Sequence, residues 1–148
     1  MILKQAGYYW RRQKLFTIKI RLNFSGCSGT NGGCCGRTVD KEGGLSYEYD
    51  PSHGWIKEKH WWPQAEAMIG FFNAWQISRD DKYLRYSMNS WYFINKHILD
   101  KQNGEWFWGV NEDYTLIKGE DKVGIWKCPY HNTRACIEII RRIETINS

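Results

Sequence analysis

The chain lacks any long apolar stretch. No run of apolar side chains among its 148 residues is long enough to cross a bilayer. The first residues carry scattered apolar side chains but no continuous hydrophobic segment before a small-residue cleavage site, which a secretory signal requires. We therefore expect no membrane partner and a cytoplasmic location.

Paired cysteine motifs are also missing. The five cysteines, at positions 27, 34, 35, 128 and 136, are odd in number, and their spacings match no zinc or haem motif. Reduced thiols are the default for a chain with no export signal. We predict no metal site and no cofactor, and we expect Cys128 to be a small buried filler.

Acidic residues are absent from positions 1–38, which we call the leader. The leader holds seven basic residues, so the remaining 110 residues carry 14 basic against 16 acidic groups. The formal net charge of +5 therefore resides in the leader, and the rest of the chain is mildly acidic. A basic leader is compatible with RNA or an anionic membrane surface, but a solvated tail is the simpler interpretation. We predict no nucleic-acid partner.

Aromatic residues are abundant instead. They make up 16% of the chain and include nine tryptophans, too much apolar area for a disordered protein. A change in amino-acid composition and patterning near Thr38 divides the chain into an irregular leader, 1–38, and a folded part, 39–148. The leader contains a glycine-rich stretch over 25–36 and a weak strand-like alternation over 15–22.

Three helices are predicted in the folded part. Apolar residues surround 64–78 almost completely, which is typical of an inner helix buried on most sides. Residues 81–98 form an amphipathic, outer helix, whose apolar stripe comprises Leu84, Met88, Trp91, Ile94 and Ile98. Asn103-Gly104 is a hairpin signal followed by strand-like 105–108, and a last helix spans about 130–146. The predicted fold is all-α with a small β-hairpin.

Two tryptophan-rich segments each lead into a helix. Trp61 and Trp62 precede Pro63, and Trp126 precedes Pro129, 66 residues further on. Proline is favoured in the first turn of a helix. Because an antiparallel helical hairpin returns the chain to its starting end, we expect both inner helices to begin at the same end of the bundle.

That arrangement predicts one cavity lined by Trp61, Trp62, Glu66, Trp126 and His131. Indole faces beside acid and imidazole groups suit a sugar ring, which has apolar C–H faces and hydroxyl edges. Trp61 is equally compatible with core packing, and Glu66 with capping its own helix. A histidine just inside a helix start is held in its neutral form by the helix dipole, as a general base requires.

These segments resemble the N-acylglucosamine 2-epimerase superfamily, most closely its cellobiose 2-epimerase branch. The matching segments are 40–45, 60–66, 103–112 and, above all, Trp126-Lys127-Cys128-Pro129-Tyr130-His131. The resemblance covers about residues 39–148 and none of 1–38. It implies an (α/α)6 toroid of inner and outer helices, of which this chain holds about the C-terminal third.

The resemblance also implies an activity. Members of the family invert C2 of a reducing-end sugar such as cellobiose through an enediol, with two histidines transferring the proton. His131 matches one of them, and Trp62 and Trp126 match substrate-contacting positions. The segment that carries the second histidine and an arginine is not present. We therefore expect a small-molecule sugar substrate and a need for another chain to complete the barrel.

Three alternatives stay open. An aldose–ketose isomerase of the same superfamily shares the enediol and differs in where the proton returns. A non-catalytic, truncated remnant would at most bind carbohydrate weakly. A glycoside hydrolase requires two flanking carboxylates, and no paired carboxylate motif is present in the sequence.

Overall fold

The computed structural model describes residues 39–148, so the predictions for the leader lie outside the described part. Three helices dominate it: α1 (Trp61–Ser78), α2 (Asp81–Phe93) and α3 (Tyr130–Asn147). Four short strands, β1 (Glu48–Asp50), β2 (Gly54–Ile56), β3 (Lys59–His60) and β4 (Gly109–Val110), form two antiparallel pairs, β1–β2 and β3–β4. The described part is mostly helical, as predicted, with more strand pairing than the single expected hairpin.

Helix α1 is the buried centre of the domain. Ten of its 18 residues are buried, which confirms the prediction of an inner helix. It begins at Trp61 rather than after Pro63, so the proline is the third helical residue. This position is tolerated because the first N–H groups of a helix have no partner within the helix.

Helix α2 follows after a two-residue connection. Asp80 caps it by accepting a hydrogen bond from the backbone N–H of Lys82 at 3.0 Å. The helix continues as a π-helical turn over Ile94–Ile98. The predicted apolar stripe is only half buried: Ile94 and Ile98 lie in the core, but Met88 is 45% and Trp91 38% exposed.

The turn at Asn103-Gly104 forms as predicted, but the strand does not. Gly104 has a φ of +72°, and its N–H donates to the carbonyl of Asp100 at 3.1 Å. Residues 105–108 make one isolated bridge, between Trp106 and Leu99. The strand begins later, at β4, where it pairs with β3 and so joins the segment before α1 to the segment after the turn.

A turn at residues 40–45 holds the start of the described chain against α2. The Asp40 carboxylate accepts hydrogen bonds from the N–H groups of Glu42 at 2.9 Å and Gly44 at 3.0 Å. Gly44 packs so closely that a Cβ there would lie 2.6 Å from Cε2 of Phe93. Only glycine fits this close approach without a shift of its neighbours.

Helices α1 and α3 run parallel. Near their N-terminal ends Glu66 contacts His131, and near their C-terminal ends the Arg142 guanidinium donates to the Gln76 side chain at 2.9 Å. The two inner helices therefore start at the same end, as predicted from the sequence. Helix α3 is less buried than α1, with only Asn132 and Ala135 buried among its residues.

An open apolar groove of about 580 Å³ lies between the three helices. The residues that line it include Met68 and Phe72 of α1, Met88 and Trp91 of α2, and Ile139 and Ile143 of α3. Ile143 is 44% exposed in this groove. In the described part of the chain, apolar faces of α2 and α3 are therefore left without a covering element.

Candidate active site

The shared end of α1 and α3 brings an acid and an imidazole together. Nδ1 of His131 lies 2.9 Å from Oε1 of Glu66. Glu66 stands in the second turn of α1 and His131 in the first turn of α3, so the contact joins residues 65 positions apart. This confirms that the two predicted segments meet.

The protonation state of the pair follows from its surroundings. Burial raises the pKa of Glu66, but hydrogen bonds from His131 and Arg134 outweigh burial and leave this pKa below its ordinary value. Glu66 is therefore an anion that only accepts hydrogen bonds, so Nδ1 of His131 carries the proton. In a neutral imidazole this leaves Nε2 with its lone pair free to take a proton.

Arg134 is a member of the site that the sequence predictions missed. Its guanidinium donates to the same Glu66 oxygen and forms an ion pair with it. Arg134 lies three residues after His131 and therefore on the same helical face, a spacing that was visible in the sequence. The side chains of Glu66 and Arg134 are each 16% exposed, against 35% for His131.

Trp62 lies beside the histidine, as predicted. Its ring centroid is 6.0 Å from that of His131 and 6.2 Å from that of Tyr47, whose ring lies perpendicular to it. Tyr47 in turn stacks on His60 at 4.0 Å. Tyr47 comes from the segment before β1, and no short-range signal in the sequence indicated that it would reach Trp62.

Trp61 is a core residue. It is 4% exposed and packs against Trp108, with the two ring centroids 4.7 Å apart. The structure favours the packing interpretation of this side chain over direct contact with a sugar.

Trp126 stands apart from the acid–imidazole pair. It is 85% exposed, and no ring contact joins it to Trp62 or His131 within residues 39–148. Cys128, expected to be buried, is exposed. The loop before α3 therefore turns both side chains outwards, although their positions in the sequence suggested otherwise.

No three His, Cys, Asp or Glu side chains of residues 39–148 are grouped so as to hold a metal ion. In the same range, no helix is both long and apolar enough to cross a membrane.

Fold and site together define a helical domain with a carboxylate–imidazole pair between two parallel helices. Residues 33–135 match the family described as N-acylglucosamine 2-epimerase (GlcNAc 2-epimerase). This match covers most of the chain, and the chain belongs to that family. The boundary at residue 38 stays a prediction.

Relatives and solved structures agree with this assignment. The chain is 43% identical over 103 residues to the cellobiose 2-epimerase of Bacteroides fragilis, covering 69% of this chain and 26% of the relative. It is 48% identical over 88 residues to that of Dictyoglomus turgidum, covering 59% and 22%. The structure of the cellobiose 2-epimerase of Spirochaeta thermophila superposes with a TM-score of 0.70 at 40% identity, covering 76% of this chain and 28% of that one. The chain thus spans about a quarter of the length of the curated relatives it matches.

Proposed function

We propose that this chain contributes the His131 side of a sugar 2-epimerase site. One observation carries the proposal: the Glu66 carboxylate holds Nδ1 of His131 and leaves Nε2 free beside the Trp62 ring. A histidine oriented in this way by a carboxylate is suited to remove a proton alpha to a carbonyl near neutral pH.

The reaction needs no change of oxidation state. Nε2 of His131 removes the proton from C2 of the open-chain aldose, the C2–H electrons form the C1–C2 double bond, and the C1=O π electrons move to O1, which takes up a proton to give an enediol. O1 then loses its proton, the C1=O bond is restored, and the C1–C2 π electrons take up a proton on the opposite face of C2. Within residues 39–148, His131 is the one imidazole that contacts both Glu66 and Trp62. The group that acts on the opposite face is expected from elsewhere in the complete site.

The proposed substrate is cellobiose or a related β-1,4-linked disaccharide. Several relatives are named cellobiose 2-epimerase, and the family match over residues 33–135 includes both Trp62 and His131. The Trp62 indole offers an apolar face for a sugar ring. Trp126, exposed at the tip of its loop, is proposed to contact the sugar once the cavity is completed.

The described helices are proposed to be part of an (α/α)6 barrel that another chain completes. The groove between α1, α2 and α3 supports this, because large apolar side chains such as Ile143 and Met88 are 44% and 45% exposed there. Exposed apolar patches of this kind mark surfaces that bind further protein.

An aldose–ketose isomerase is the second candidate. A crystal structure of a D-mannose isomerase superposes with a TM-score of 0.65 at 27% identity, covering 72% of this chain and 27% of that one. Both reactions pass through the enediol, and they differ in whether the proton returns to C2 or to C1. Identifying the product separates the two.

Proton NMR of the purified chain with cellobiose in D2O tests the proposal. We expect deuterium at C2, which is lost in His131→Ala and retained in His53→Ala. A glucosyl-mannose product with the same dependence on His131 would mean that a group from a further copy of the chain acts on the opposite face. His53 is the matched control because it also pairs with an acid, Asp50, but its side chain is 82% exposed on the β1–β2 turn.

The outcomes separate the candidates. A ketose product would establish the isomerase, and C2 exchange without a new sugar would mean that only one face of the substrate has a base. Absence of any exchange would contradict catalysis by this chain and support the non-catalytic alternative. Exchange that survives His131→Ala would overturn the role assigned to His131.

A further inference from the structure

A fully buried lysine lies four residues before the candidate base. Lys127 is 1% exposed, and its Nζ donates to three oxygens. These are the backbone carbonyls of Lys122 at 2.6 Å and Trp106 at 2.7 Å, and Oε1 of Glu105 at 3.2 Å. Each of the three ammonium protons therefore has an acceptor, and Nζ also lies 5.3 Å from the ring centroid of Trp61.

Such burial is unusual for a lysine, whose long stem ordinarily lets the charge reach water. Burial lowers the pKa of Lys127, and the Glu105 carboxylate opposes this effect. A buried charge is retained only where fixed partners replace its hydration, so removing one partner is strongly unfavourable. The contacts of Lys127 therefore tie its loop firmly to the 105–106 segment.

The same network continues into the helix that carries the base. Oε1 of Glu105 also accepts a hydrogen bond from Nδ2 of Asn132 at 2.7 Å. Asn132 is the residue next to His131 and is 5% exposed. Glu105 thus links the loop before α3 to the first turn of α3.

Two features indicate that these contacts are needed to position the helix. The N-cap residue of α3, Pro129, makes no side-chain cap hydrogen bond, so no local cap fixes where the helix begins. Glu105 has a φ of +59°, a left-handed conformation that is unfavourable for a residue with a side chain. Such strain persists where surrounding contacts enforce it, and it is concentrated at functional sites.

The loop of Lys127 also presents Trp126. Gly124 and Lys127 exchange backbone hydrogen bonds of 2.8 and 3.2 Å, which leaves Ile125 and Trp126 at the tip of a tight loop. Both tip residues are exposed, 94% and 85%. Anchoring Lys127 therefore fixes the base of this loop as well as the start of α3.

We propose that Lys127, Glu105 and Asn132 form a clamp that positions His131 and the Trp126 loop. The three are positioning residues, because they hold the elements that carry His131 and Trp126. The clamp rests on the proposed function only in taking His131 as the base. Its geometry is independent of any substrate.

The experiment compares Lys127→Met with Lys122→Met by amide hydrogen exchange and proton NMR of the full chain. Lys122 is the matched control, since its Nζ also donates to a carboxylate, that of Asp100 at 2.6 Å, without reaching α3. We expect Lys127→Met to speed exchange at residues 133–136 at least tenfold, while amides of α1 change less than twofold. We also expect loss of the slowly exchanging Nδ1 proton of His131, which the control retains.

Unchanged exchange at 133–136, or an equal rise throughout α1 and α3, would overturn the clamp. If Lys127→Met fails to fold, Asn132→Ala decides in the same way, because it removes the helix end of the clamp without exposing the lysine. These readouts use the free chain, whereas C2 exchange in cellobiose tests the proposed function. A failure of the clamp can therefore be distinguished from a failure of the proposed function.

Discussion

Replacing Glu66 by glutamine tests the physical basis of the candidate site. Glutamine keeps the shape of the side chain but removes the negative charge that both His131 and Arg134 contact. A hydrogen bond to a charged group contributes about 1.5–3 kcal/mol, and an amide oxygen still accepts one of the two. We therefore expect Glu66→Gln to lower the free energy of unfolding at pH 7 by about 2 kcal/mol.

The pH dependence of the stability difference tests whether the charge of Glu66 is responsible. The pKa of Glu66 is lowered in the folded chain, so its ionised form stabilises the fold above the ordinary value of 4.5. This contribution is lost as the pH falls through the lower, folded-state pKa. The difference between wild type and Glu66→Gln is accordingly largest at neutral pH and shrinks on acidification below 4.5.

Urea unfolding followed by circular dichroism between pH 7 and pH 3 measures both quantities. Glu138→Gln is the control, because Glu138 pairs with Arg142 on α3 with a side chain 33% exposed. A pair of this kind, one helical turn apart, contributes only about 0.3–0.5 kcal/mol. A loss for Glu66→Gln no larger than that of the control, or one that stays constant down to pH 3, would refute the reasoning.

Three further predictions concern the packing, the charges and the groove. Gly44→Ala is expected to destabilise the fold by about 2 kcal/mol through overpacking. Gly124→Ala is the control and is expected to leave the melting temperature almost unchanged, because a Cβ added there would lie 3.9 Å from its nearest neighbour, Cβ of Asp121. Equal melting temperatures of the two variants would contradict this reasoning. Hydrogen bonding to Lys96 and, next, to His97 lowers the pKa of Glu42 to about 2, so carbon NMR is expected to find this pKa raised towards 4.5 in Lys96→Met, and an unchanged titration would argue against the pair. Ile143→Asp is expected to reduce self-association in sedimentation velocity while Arg141→Ala does not, and equal behaviour would mean that the groove is not the associating surface.

Local signals in the sequence predicted the helices and their ends well. The apolar residues around 64–78 identified the inner helix. The Asp80 cap is a local feature of the same kind, because its carboxylate accepts a hydrogen bond from the N–H two residues later. The start of α1 was placed too late, because Pro63 is tolerated at more than one position in a first turn. Helix ends of this kind are set by neighbouring contacts as much as by sequence.

Contacts between segments that lie far apart in the chain were harder to predict from the sequence. The strand expected at 105–108 formed instead at Gly109–Val110, because its partner is β3, some 50 residues earlier. The apolar stripe of α2 was identified by its periodicity, but periodicity does not say which element covers the apolar face of a helix. In the described residues, Met88 and Trp91 face the open groove.

Part of the candidate site was predicted from the sequence and part was not. The meeting of Trp62, Glu66 and His131 was predicted from two proline-marked helix starts and the geometry of a helical hairpin, and the contacts confirm it. The substrate contacts of Trp62, Trp126 and Glu66 stay predictions, and Trp61 is placed in the core.

The sequence by itself determined which helices form and that the two aromatic segments begin at one end, because periodicity, caps and prolines act over a few residues. Only the tertiary structure decided that Arg134 shares the Glu66 carboxylate, that Lys127 is buried beneath Trp61, and that Trp126 points outwards. These features depend on which distant groups satisfy a charge once water is excluded, and that is settled by packing among elements far apart in the chain.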